Sequence, residues 1–262
     1  MMRYLKLLSI FYKYSLLSEL EYRVNLLANI FMSVFWLVWA IVGVTVFFLY
    51  ADKMGDWTYP EVLMVVALFT LFSGLMEAFL RPNIGAVIDQ IRDGTFDFVR
   101  LKPVNVQFMA SFRNIVIWHL SDVVIGIGLI VYALGLMHIV PSLAQLAVFA
   151  LMLVAAMAMV YSLWLTTAAL AFWFVRLDNI TELFYGFYEA GRYPVTIYRG
   201  VVRALLTFVV PVAFVTTFPA SALLGRLDTG TVLTGVAFAL VLFAFSSSLW
   251  SYALRHYSSA SS

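Results

Sequence analysis

His119 and Asp122 stand three positions apart inside an apolar stretch, so a helix places both on one side. Such an intramembrane pair could relay a proton or hold a polar substrate group. It could equally form a helix–helix hydrogen bond, or sit at a helix end within reach of water. Glu77 and Arg81, four positions apart, read as an ion pair near an interface rather than as a catalytic acid. Little else in the chain has the right type and spacing for chemistry. Its 262 residues include no cysteine and 3 histidines, which excludes disulfides, thiolate metal sites and cysteine nucleophiles. There is no H-E-x-x-H motif, so no metal site and no catalytic residue are expected. There is no G-x-x-x-x-G-K-[ST] motif and no Gly-Lys pair, so the chain cannot build a phosphate-cradling loop of that type.

The elements that must position these residues are membrane helices. The chain is 64% hydrophobic and 11% charged, where a soluble domain carries roughly 25% charged residues. A net charge of +2 gives no reason to expect nucleic acid as a partner. A crossing needs about 20 mostly apolar residues. The expected fold is therefore all-α with six transmembrane helices, within Val24–Tyr50, Tyr59–Leu80, Ile115–Met137, Leu143–Val175, Ala204–Leu224 and Val232–Leu254. The fourth stretch is longer than one crossing needs; it tilts, projects into water or breaks into two. Residues 1–22 form a separate amphipathic interface helix, with Leu5, Leu8, Tyr12 and Leu16 at helical spacing and Lys6 and Lys13 on another face. The six-helix membrane body is 23–257, and 258–262 is a polar tail.

Six crossings put both termini on one side. That side then holds Arg3, Lys6, Lys13, Arg23, Arg81, Arg92, Arg100, Lys102, Arg113, Arg176, Arg192, Arg199, Arg203 and Arg255, leaving Lys53 and Arg226 opposite. Basic residues concentrate on the cytoplasmic side, so both termini are expected to be cytoplasmic. Pro211 and Pro219 interrupt the fifth stretch. Proline within a membrane helix needs neighbours that satisfy the freed backbone groups. A simple kink or a bent, re-entrant gate both fit.

The longest polar stretch, IGAVIDQIRDGTFDFVRLKPVNVQF at 84–108, lies between the second and third apolar runs. Ile84, Val87, Ile88 and Ile91 form one apolar stripe of a short helix, with Asp89, Arg92 and Asp93 facing elsewhere. Gly94 ends the helix. Beyond it TFDFVRLKP alternates apolar and polar residues, and Pro103 blocks further helix. A helix followed by a strap is expected, lying on lipid headgroups or docked in a groove of a cytoplasmic partner.

SELEYRVNLLANIF at 18–31, W-x-x-x-E-V-L at 57–63, and I-R-x-G-x-x-D-x-x-x-x-x-P at 91–103 resemble the ABC-2-type permeases of ABC transporters. TFVVPVAFVTTFPASALLG at 207–225 adds to the likeness, which is strongest to an export branch that works with a separate ATPase. The resemblance implies a coupling helix at residues 84–94, with Ile84, Val87, Ile88, Asp89, Ile91, Arg92, Asp93, Gly94, Asp97, Lys102 and Pro103 shaping the contact. It implies re-entrant helices at Pro211 and Pro219 on the outer face. It further implies two ATPase copies that carry ATP and Mg, with no cofactor on this chain. The remaining implications are a second permease, identical or homologous, and the prokaryotic cytoplasmic membrane as location. The competing expectations are an ion-coupled transporter or channel using His119 and Asp122, a membrane enzyme, and a passive scaffold. The substrate is left open; an apolar interior suits hydrophobic or amphiphilic molecules.

Overall fold

The computed structural model describes residues 2–21, 23–174 and 178–257. Arg176 and the polar tail at 258–262 lie outside them. Among the described residues everything regular is helical, apart from one isolated bridge between Met54 and Trp57.

Helix α1 (Met2–Glu21) precedes α2 (Arg23–Tyr50), the first crossing. The second crossing is α3 (Tyr59–Leu75), a π-helical turn (Met76–Leu80) and α4 (Arg81–Arg92), which together run as one rod. The π turn has a local cause. Pro82 has no N–H and its ring crowds the carbonyl four residues back, that of Ala78. That carbonyl instead accepts from the Val116 N–H at 3.0 Å. Asn83, buried, bonds the Asn114 backbone in both directions, at 2.6 and 2.7 Å. The π turn is thereby tied to the start of the third crossing, a 3-10 turn (Ile117–His119) leading into α7 (Leu120–Leu136). Between these rods lie two short helices, α5 (Asp97–Arg100) and α6 (Val106–Phe112).

Helix α8 (Leu143–Leu170) is one unbroken crossing of 28 residues, so the break into two spans does not occur. Ser142 and Gln145 cap its start reciprocally. Helix α13 (Thr229–His256), capped by Asp228, is the last crossing. Small residues let the rods approach closely, as membrane helices require. A Cβ on Gly74 would lie 2.8 Å from the Asp122 Cβ, and one on Gly126 would lie 2.7 Å from Leu71.

The fifth crossing differs from the expected one. Helix α9 (Asp178–Glu189) is followed by 3-10 turns at Ala190–Arg192 and Val195–Ile197. Tyr185 meets Arg81 and Glu77. Tyr188 packs on Phe69, and the Trp57 indole donates to the Thr196 hydroxyl at 2.8 Å. Residues 185–197 thus run alongside the second rod from Arg81 to Tyr59, about 33 Å at 1.5 Å per residue. Composition hides this traverse, because its 3-10 turns are irregular and it carries Glu182, Glu189 and Arg192.

Residues 204–224 are consequently not a crossing. Helix α10 (Gly200–Ala204), a π turn (Leu205–Val209), α11 (Val212–Val215) and α12 (Thr217–Leu223) form a pair of arms bent by 65°. The pair begins beside Thr196 and ends beside Arg226, which pairs with Glu61 at 2.5 Å, so both ends lie at the Trp57 end of the bundle. Its elbow dips to the level of Gly191 and Phe69. This is a re-entrant region between the fifth and sixth crossings. Pro211 sits at the elbow. Pro219 breaks nothing: it occupies the first turn of α12, where a helix has no partner for its N–H. Arg199 and Arg203 accordingly move to the end that holds Lys53 and Arg226, and Arg192 lies partway along the bundle. Both termini share the opposite end, where Arg3 donates to the Pro103 carbonyl and Tyr257 packs on Phe96.

Candidate functional site

Two places gather residues that could carry function. The first is a half-open cleft of about 490 Å³ between α2, the second rod, the head of α7 and α9. His119 Nδ1 lies 3.0 Å from the Asp122 carboxylate, and its Nε2 lies 3.9 Å from Glu77. Glu77 pairs with Arg81 at 3.0 Å, and the Tyr185 hydroxyl donates to Glu77 at 3.4 Å. Arg81 stacks over the Tyr185 ring, and Trp118 stacks on His119.

The two pairs foreseen separately therefore form one network across two crossings. Local spacing defines each pair, but only the close approach of α7 at Gly74 joins them. Farther along the same cleft, Glu189 and Arg192 form a second pair at 2.7 Å, with Arg192 over the Phe69 ring. An arginine at this depth is a functional candidate. By sequence its segment, charged and between two apolar stretches, reads as a cytoplasmic loop.

The second place is the tip between the second and third crossings. Ile84 and Val87 are buried in the chain's own core, and Ile88 and Ile91 pack against it. The stripe on α4 is thus turned inward, and Ile84 and Val87 are closed to a partner. Asp89, Arg92 and Asp93 face outward as an ion-paired cluster, with Arg92 2.7 Å from Asp89 and 3.5 Å from Asp93. Gly94 has φ of 70°, a left-handed value that a side chain would strain.

Beyond it the expected strap is instead the helical turn α5, beginning at Asp97. Phe96 and Val99, three apart, both point into the core, and that spacing decides for helix over extended chain. Phe96 meets Phe172, Trp250 and Tyr257 edge-on. The same register turns Phe98 and Leu101 outward, 68% and 79% exposed. These two are the large apolar side chains most exposed at the tip. Lys102 is exposed beside them, and Pro103 is held by Arg3 of α1.

Helix α1 braces both places. Its stripe is split: Leu8 and Tyr12 turn toward the chain, and Leu5 and Leu16 turn outward. The Glu19 carboxylate accepts from the Ile117 and Trp118 N–H groups at 2.6 and 3.0 Å, capping the turn that carries His119. Tyr4 packs edge-on against Phe108.

Among the described residues no group of acidic or histidine side chains is arranged to hold a metal ion. A family model described as ABC-2 family transporter protein matches residues 34–261. No curated protein and no solved structure matches the chain.

Proposed function

The chain belongs to the ABC-2 family of transporter proteins, and from that premise we propose that it is the permease of an ATP-driven exporter. As a member it is a multi-pass membrane component of an ABC transporter. The family match over residues 34–261 is the observation that carries this reading.

The finer assignments are as follows. Two ATPase subunits supply the ATP and Mg chemistry, and this chain supplies none. They grip the tip at Phe98 and Leu101, framed by the Asp89–Arg92–Asp93 cluster, Gly94, Asp97 and Pro103. A second permease, identical or homologous, packs along α2. The end with both termini is cytoplasmic: Arg3, Lys6, Lys13, Arg92, Arg100, Lys102 and Arg255 support this even after Arg199 and Arg203 change ends. The location is the prokaryotic cytoplasmic membrane.

The physical sequence is short. ATP-driven closure of the ATPases moves the tip. Because α4 is continuous with α3, a push at the tip acts on the whole second rod. That rod forms one wall of the charged cleft, so the cleft changes shape with it. The aromatic walls and ion pairs suit an amphiphilic substrate. The direct test is ATP hydrolysis by the purified complex. The double variant Phe98→Asp, Leu101→Asp should lower substrate-stimulated hydrolysis at least about tenfold while the permease stays folded. Unchanged hydrolysis would contradict the role given to the tip.

A further inference from the structure

The re-entrant region encloses a second cleft, of about 330 Å³, at the Trp57 end of the bundle. Its polar lining is unlike that of the first cleft. Arg203, Thr196 and Thr217 line it, against walls that include Ala213, Phe208 and Phe218. Thr196 accepts from the Trp57 indole at 2.8 Å, and Thr217 accepts from the Val195 N–H at 2.9 Å. A hydroxyl that accepts in this way keeps its own proton to donate. No carboxylate lines the cleft, and among the described residues no ion pair engages Arg203 or the neighbouring Arg199. The Thr207 hydroxyl is spent on the Arg203 carbonyl at 2.7 Å, so the donors left to a ligand are Thr196, Thr217 and Arg203, a permanent cation with a planar fork. Such a set selects an anion with several acceptor oxygens.

The walls say what is attached to that anion. Phe208 and Val209 on the adjoining turn are more than half exposed, as is Val201 on α10. Apolar surface beside a cationic mouth fits an acyl chain beside a phosphate. We propose that this cleft binds the phosphate headgroup of an anionic phospholipid, drawn from the leaflet at the Trp57 end. The bound lipid would brace the arm from Gly200 to Val209 against the fifth crossing. The assignment rests on the membrane-spanning reading of the bundle and on nothing concerning the ATPase.

The test is native mass spectrometry of the full-length chain in mild non-ionic detergent. It is offered phosphatidylglycerol, phosphatidylcholine or inorganic phosphate. Phosphatidylglycerol should be retained about tenfold over phosphatidylcholine, and Arg203→Gln should lower that retention about tenfold, the worth of one charge-assisted contact. Arg203→Lys, which keeps the charge without the fork, should fall between. Lys53→Gln, an equal loss of charge at the same end, should leave retention unchanged. Equal retention by Arg203→Gln and the parent chain would overturn the proposal. An equal loss in Lys53→Gln would overturn it too, by reducing the effect to general surface charge. Arg203-dependent retention of inorganic phosphate without lipid preference would overturn the lipid assignment. The topology is checked apart from this, because the chain has no cysteine. Arg199→Cys should react with a membrane-impermeant maleimide from outside intact cells. Labelling without lipid retention rejects the site alone, and no labelling rejects the topology beneath it.

Discussion

The first two crossings are almost equally apolar, with mean hydropathies of 2.3 and 2.1 over their best stretches, yet 6% of the first and 72% of the second is buried. The second rod is the axis of the molecule: α7, the fifth traverse and the re-entrant arms all lean on it. Helix α2 is exposed on nearly every face, and Trp36 and Trp39 lie open at 60% and 57%. Hydropathy reports that a segment belongs in a membrane. It does not report whether the segment meets lipid, a partner or its own chain. In a bilayer those three environments are nearly equal in polarity, so close packing and hydrogen bonding decide between them.

Glycine substitutions should separate the two crossings most sharply. Gly74→Leu forces its Cβ and beyond into Asp122 and the His119 carbonyl, 2.8 and 2.9 Å away. We expect loss of at least about 3 kcal/mol, seen as failure to yield a monodisperse peak in detergent. Gly43 on α2 has nothing within 4 Å, so Gly43→Leu should leave the melting of the isolated chain unchanged. Similar behaviour in both variants would erase the distinction.

Asn83→Ala comes next. It removes the groups that bond Phe79 and Asn114, and should cost about 2 kcal/mol in a thermal melt. Trp36→Ala should change the same melt by under about 0.5 kcal/mol, while lowering transport if a second permease covers it. His119→Gln sharpens the cleft itself. It should leave ATP-driven transport within about threefold, whereas an ion-coupled carrier would lose proton-driven uptake altogether.

The smallest effect is at Asp228. Hydrogen bonds from Thr231 hold its carboxyl below the usual carboxylate range. The folded pKa is therefore depressed, so the stability it contributes is present at neutral pH and is lost as pH falls through that value. Asp228→Asn, still a good cap, should flatten the acid side of a melting-temperature profile and change little at pH 7.

The membrane class, four of the five long spans' extents and the N-terminal helix were legible because length and apolar content carry them. The fifth crossing was not. Residues 185–197 are charged and irregular, whereas 204–224 look like a span, and only the meeting of Thr196 with Trp57 reveals the exchange. At the tip, Ile84 and Val87 were recognised as a stripe, but a stripe has no label for what it faces. Phe98 and Leu101 stood in an alternating string that fits strand and helix equally. The pairs at Glu77–Arg81 and His119–Asp122 were readable from local spacing, and their union was not, because it depends on Gly74 and on the π turn before Pro82.

Affinity purification of the chain in mild detergent, with mass spectrometry of what accompanies it, tests the central claim most directly. The account predicts a stoichiometric ATPase that is lost in the Phe98→Asp, Leu101→Asp variant and kept in Trp36→Ala. A folded chain that emerges with no ATPase at full expression would contradict it.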